Sequence, residues 1–154
     1  MPPWLHIRVD LLHGNGMELD PPPGRVIICG PEHTFGELAY AINTAFARWD
    51  HGHLHYFELT DGRRIGFPDD WGRGLDLGWE DQDELLPAKE LAPGDEFTFT
   101  FDLGDDWSHR CRVLQAETYL DALEAPDRPV PILGWGTIPD QYDRLSPGDF
   151  ELED

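Results

Sequence analysis

Lysine is almost missing from this chain of 154 residues: Lys89 stands alone among 11 basic side chains, and arginine supplies the rest. They face 31 Asp and Glu, which gives a formal net charge of −20 and a pI near 4.4. A field of that sign repels phosphate, so direct nucleic-acid binding is disfavoured. Cysteine is scarce too. Cys29 and Cys111 are the only two, with no Cys-x-x-Cys pair, so neither a zinc ribbon nor a thioredoxin-like motif is present. Both lie in apolar runs and are expected to be buried free thiols in a reducing cytosol. No apolar run approaches the length of a membrane span. Met1-Pro2-Pro3-Trp4 lacks the basic-then-apolar order of a signal peptide. A cytoplasmic protein without a membrane partner is expected. A Gly-rich phosphate loop, a Gly-x-Ser-x-Gly elbow and internal repeats are all absent.

What is present is a globular composition: 40% hydrophobic, 12% aromatic, 6 Trp. The length predicts one domain over 1–154. Its core-bearing part spans about 4–115, and 116–154 form a C-terminal strap and an acidic tail.

The chain is organised around residues 97–113. Phe97, Phe99, Phe101 and Leu103 alternate with Thr98, Thr100 and Asp102, the period of a strand with one dry face. The rhythm returns after an acidic turn. Trp107, His109, Cys111 and Val113 share one face; Ser108, Arg110 and Arg112 share the other. Gly104 can adopt φ > 0 and the flanking Asp102 and Asp105 can accept turn N–H groups. The spacing does not fix which residues form the tip. A core-facing His109 needs a ring partner; Asp102, Asp105 and Asp106 are nearest in sequence.

Elsewhere, Leu5, Ile7, Val9 and Leu11 predict a first strand, with His6, Arg8 and Asp10 facing out. Pro21-Pro22-Pro23-Gly24 closes a loop, and 25–29 is a second strand. Thr34-Phe35-Gly36-Glu37 fits a capping box, opening a helix to Trp49 with a stripe of Leu38, Ile42, Ala45, Phe46 and Trp49. His53 leads into a third strand, and Asp61-Gly62 turns it into a fourth at 63–67. Residues 68–83 form a long acidic Gly/Trp loop. Residues 84–91 could hold one helical turn, 118–124 a short helix, and 132–136 an apolar surface strap.

Two strings, Trp49-Asp50-His51-Gly52-His53-Leu54-His55-Tyr56-Phe57 and Phe99-Thr100-Phe101-Asp102-Leu103-Gly104-Asp105-Asp106-Trp107-Ser108-His109, resemble the plasmid pRiA ORF-three-like family. Its transposon-borne members carry the label TnpR-family passenger protein, which places them on mobile elements. The resemblance implies an α+β fold, with a curved sheet against a helix, and no settled activity. Its motif residues here are Trp49, His53, Asp102, Gly104, Asp105, Trp107 and His109. This chain departs from the pattern at Leu103, where Phe is common, at Pro22 to Arg25, where Trp-Arg-Arg is frequent, at Ala39, where His is frequent, and in a tail without Cys.

The expected fold is therefore α+β: a curved, mostly antiparallel sheet of about six strands packed on one long helix, with long acidic Gly/Trp loops. The leading functional expectation is a non-catalytic interaction module with no cofactor, binding a protein or peptide through Trp71, Trp79 and Trp135. The alternative is a metal-dependent hydrolase with zinc or manganese on His53, His55 and His109. A further alternative is an acidic mimic of nucleic acid.

Overall fold

The computed structural model describes residues 4–68, 78–117 and 125–142, with residues 115–117 described through their backbone. Among the described residues nine strands form one mixed sheet. In chain order the elements are β1 (Trp4–Gly14), β2 (Met17–Glu18), β3 (Gly24–Cys29), α1 (Phe35–Ala45), β4 (His55–Leu59), β5 (Arg64–Gly66), β6 (Glu80–Asp81), α2 (Pro87–Glu90), β7 (Glu96–Phe101), β8 (Trp107–Glu117) and β9 (Val130–Trp135). The sheet runs β6-β5-β4-β7-β8-β1-β3-β9, with β2 paired to β1. Every neighbouring pair is antiparallel except β5 and β6. The α+β class holds, but the strands number nine rather than six. Three of the additions are short pieces (β2, β6) or an edge strand (β9), which periodicity detects poorly.

Alternation sets the two faces. Leu5, Ile7, Val9 and Leu11 are fully buried, as are Phe99, Phe101, Cys111 and Val113. They share one core with Phe35, Leu38, Ile42 and Phe46 from the helix segment. Each large side chain so buried contributes roughly 1.5–3 kcal/mol. The capping box forms as expected: the Glu37 amide donates to Thr34 Oγ1 (3.1 Å), and the Thr34 amide donates to Glu37 Oε1 (3.0 Å).

The helix ends four residues earlier than the stripe suggests. Phe46 caps it, and Ala47 takes φ 60°. The Arg48 amide then donates to the Asn43 carbonyl and the Ala47 amide to the Thr44 carbonyl, the paired bonds of a Schellman motif. Trp49 leaves the stripe, is 50% exposed, and meets Tyr142 edge to face. Leu103 leaves the core as well, at 48% exposed. The strand stops at Phe101, which pairs with Trp107, and residues 102–106 form the turn. Asp102 and Asp106, not Gly104, hold the positive φ angles, at 60° and 55°. Asp102 Oδ1 accepts from the Gly104 and Asp105 amides at 3.2 and 3.3 Å. That local bonding is how an Asp offsets a left-handed backbone.

Asp10 also corrects its expected place. It is 3% exposed rather than facing water, because Arg8 Nε donates to its Oδ2 at 2.9 Å. The expected surface strap at 132–136 is mostly β9, an edge strand paired to β3. An edge is where Pro131 costs least, since its missing N–H interrupts no second ladder. Extra residues in β8 and β9 shift the registers opposite His6/Ile7 and Val26/Ile27; such bulges increase local twist.

Candidate functional site

The hairpin's histidine is held from the helix side. The Schellman turn sends Arg48 inward, where its Nη1 donates to His109 Nε2 at 2.9 Å. His109 Nδ1–H donates to the Phe99 carbonyl at 2.9 Å. Both ring nitrogens are thus engaged on a neutral imidazole. Burial, and then the Arg48 charge, push its pKa well below the usual histidine value. Arg48 is itself buried, with its pKa lowered to about 9 by desolvation. Its guanidinium lies 5.3–5.7 Å from the ring centroids of Trp107, Phe46 and Phe101, within cation–π range. The expected partners of His109, the turn aspartates, are replaced by this arginine.

Three other histidines, His51, His53 and His55, line a different place. A cleft of about 250 Å³ lies between α1 and the chain entering β4, lined by Tyr40, Asn43, His51, His53, His55, Phe67 and Gln82 with Gly36. His55 Nε2 bonds Gln82 Oε1 at 2.7 Å, and burial lowers its pKa. His53 Nε2 contacts Asp50 and the Tyr142 hydroxyl, and its Nδ1 lies 3.6 Å from Asp102. The buried Gln141 fastens this segment, accepting from the Trp49 and Asp50 amides and donating to the Asp50 carbonyl. The Tyr142 hydroxyl donates to Asp50 Oδ2 at 2.6 Å. That bond, then the Gly52 amide, holds the Asp50 carboxyl below its usual range. His53 and His55 therefore share a cleft, while His109 is sealed in the core. Among the described residues no group of three or more His, Cys, Asp or Glu is placed to hold a metal ion.

The face away from α1 carries Trp79 and Trp135. Trp135 lies against Gly24, where an added Cβ would sit 2.2 Å from its ring, and the Arg8 guanidinium stacks 4.7 Å from its centroid. Trp79 covers Gly66 and meets Tyr56 at 5.2 Å. Arg64 stacks on the other ring of that pair, 4.9 Å from Tyr56. Trp71 lies outside the described residues. Between the two tryptophans the register aligns Arg8 with Arg112 and Asp10 with Arg110 on adjacent strands. Asp10 serves Arg8 at 2.9 Å and reaches Arg110 at 3.9 Å. Leu133 projects from β9, 61% exposed.

Cys29 and Cys111 are buried free thiols, and Cys29 is pushed up to about 12 by desolvation. Neither offers a thiolate near neutral pH. No helix among the described residues is long and apolar enough to cross a membrane.

The sequence profile of the plasmid pRiA4b ORF-3-like proteins matches residues 7–140. The chain belongs to that family. In fold, this pRiA4b ORF-3-like protein is similar to a crystal structure of a protein of unknown function from Methanosarcina mazei Go1. The TM-score is 0.71 at 21% identity, over 90% of this chain and 72% of the other. No curated protein matches the chain.

The match extends past 115, through β9 and up to the residues that fasten the His segment. Sequence reasoning missed Arg48, Asn43, Gln141 and the Arg8–Arg112 alignment in this pRiA4b ORF-3-like protein. Arg48 had one available signal: a charged residue two positions past an apolar Phe46, where a helix end turns inward. The others depend on pairing between distant segments.

Proposed function

We propose that this protein is a non-catalytic binding module that docks an acidic segment of a partner protein across the outer face of its sheet, between Trp79 and Trp135. The observation that carries the reading is the direct alignment of Arg8 with Arg112 on neighbouring strands. Like charges opposite one another destabilise a sheet; the buried Asp10 is bonded to Arg8, and Glu96 stands opposite Arg112 on its other neighbouring strand. A partner carboxylate between the two guanidinium groups would relieve that repulsion with bidentate bonds. Trp135 and Leu133 supply apolar contact beside it, and Trp and Arg are the residue types that dominate binding hot spots. The face spans roughly 29 Å from β5 to β9 at strand spacing, long enough for an extended segment. The net charge of −20 does not forbid this. Salt screens exposed charges beyond about 8 Å at physiological ionic strength, so the local arrangement decides.

The test is a titration of a labelled Glu/Leu-rich peptide, with a Lys/Leu-rich peptide as control. The acidic peptide should bind, quench tryptophan fluorescence and weaken as salt rises. The double variant Arg8→Glu, Arg112→Glu should lose binding at least tenfold. Equal binding by wild type and the double variant, or no binding of the acidic peptide up to about 1 mM, would overturn the reading.

A further inference from the structure

The cleft on the helix side is chemically one-sided. Asn43 is 3% exposed, and its Oδ1 has no hydrogen-bond partner. An orphaned buried carbonyl costs about 1–3 kcal/mol. Asn43 is one of the residues that line the cleft of about 250 Å³. Two imidazoles on the same wall have their tautomers fixed by acceptors. His51 Nε2 lies 2.7 Å from the Arg48 carbonyl, and His55 Nε2 lies 2.7 Å from Gln82 Oε1. Both partners accept, so Nε2 carries the proton in each ring and Nδ1 keeps its lone pair. Neither Nδ1 has a partner among the described residues. None of these three acceptors has a donor among the described residues, and the Gln82 amide on the same wall already has its Oε1 taken by His55.

Its other walls are aromatic. Tyr40, 54% exposed, stands over His51 with ring centroids 5.2 Å apart, and Phe67 faces His55 at 5.7 Å. Asp83 reaches the rim at Gly36, where an added Cβ would lie 2.4 Å from its Oδ1. Acceptors in number equal to the donors of an ammonium group, π faces and a rim carboxylate all favour positive charge. The protein's overall negative field raises the local concentration of cations.

We propose that this cleft binds a small organic cation, a primary ammonium or a guanidinium. Its N–H groups bond Asn43 Oδ1 and the Nδ1 atoms of His51 and His55, and its carbon stem rests on Tyr40 and Phe67. The site lies on the opposite side of the sheet from the arginine-bearing face and stands independently of it.

The experiment is an NMR titration of the full chain with putrescine and methylguanidinium, with acetate as an anionic control and zinc chloride as a metal control. Putrescine or methylguanidinium should shift the His51 and His55 ring signals and the Asn43 amide saturably, with Kd below about 1 mM; acetate should not. Asn43→Leu should weaken binding about tenfold or more. The exposed Tyr40→Ala, which leaves the core intact, should weaken it several-fold. No saturable shift with either amine overturns the proposal, as does unchanged affinity in Asn43→Leu or, should that variant not fold, in Tyr40→Ala. Saturation by zinc but by neither amine overturns the organic-cation assignment.

Discussion

Arg48 Nη1 donates to His109 Nε2 across 2.9 Å inside the core, a guanidinium held by a neutral imidazole instead of a carboxylate. Helix end and hairpin are thereby tied through a bond that fails when the ring takes a second proton. His109 then has no lone pair for the arginine, and two positive charges face each other.

The pH dependence follows with a definite sign. Folding lowers the pKa of His109 well below 6.5, and that of His55 also falls. Below the ordinary value the unfolded chain binds more protons than the folded one, so stability rises with pH there. The contribution is complete above about pH 6.5 and is lost as pH falls towards the folded pKa. Each such group costs up to about 1.4 kcal/mol per pH unit in that window. Urea melts of wild type and His109→Gln at about pH 7.5 and about pH 5 should show the smaller drop in the variant. Equal drops would mean that His109 is not the titrating group.

Burial separates two neighbours that alternation alone puts together. Phe101 is fully buried, while Leu103 lies in the turn and is 48% exposed. Phe101→Ala should cost about 3–5 kcal/mol. Leu103→Ala should stay within about 0.5 kcal/mol of wild type. Comparable losses at both positions in denaturant melts would contradict the turn at 102–106.

These two residues also show how far the sequence was legible. Period-two patterning located β1, β7 and β8, the run after the proline loop located β3, the Asp61-Gly62 turn located β4 and β5, and the capping box located the start of α1. All these signals are local. Where the chain leaves a regular element is settled by backbone angles that residue type barely marks: Ala47, Asp102 and Asp106 all sit at positive φ without being glycine. Those angles took Trp49 and Leu103 out of the core. β9 was hidden by Pro131, which an edge tolerates and a central strand does not. For the candidate site, local sequence placed His51, His53 and His55 near one another. It could not pair them with Asn43 or Gln82, nor align Arg8 with Arg112, because those contacts join segments far apart in the chain.

Ala47 occupies the left-handed position of the Schellman motif at φ 60° and is exposed. Glycine is the residue this position favours, since a Cβ there crowds the following carbonyl. Ala47→Gly should therefore raise stability by about 1 kcal/mol, an unusual sign for a glycine near a helix. The gain is visible as a higher urea midpoint with an unchanged slope. A lower midpoint would mean that the residue is not left-handed in solution, and that the turn delivering Arg48 to His109 is built otherwise.

Gly14 ends β1 against the Trp107 ring, with room for hydrogen only: an added Cβ would lie 2.1 Å from Trp107 Cε3. Trp107 cannot yield easily. It is buried to 1% exposure and shares the core with Phe101 and Phe46, and the Arg48 guanidinium lies 5.3 Å from its ring centroid. Gly14→Ala should cost about 1–3 kcal/mol through overpacking, and Trp107 fluorescence and His109 chemical shifts should change with it. Gly16, two residues on, is the control, with φ +75° and nothing within 4 Å of an added Cβ. Gly16→Ala should cost about 1–2 kcal/mol from backbone strain alone and leave the signals of Trp107 and His109 where they are. If Gly14→Ala left those signals unmoved as well, the tryptophan would not be wedged against β1, and the packing that confines Arg48 and His109 would need a different wall.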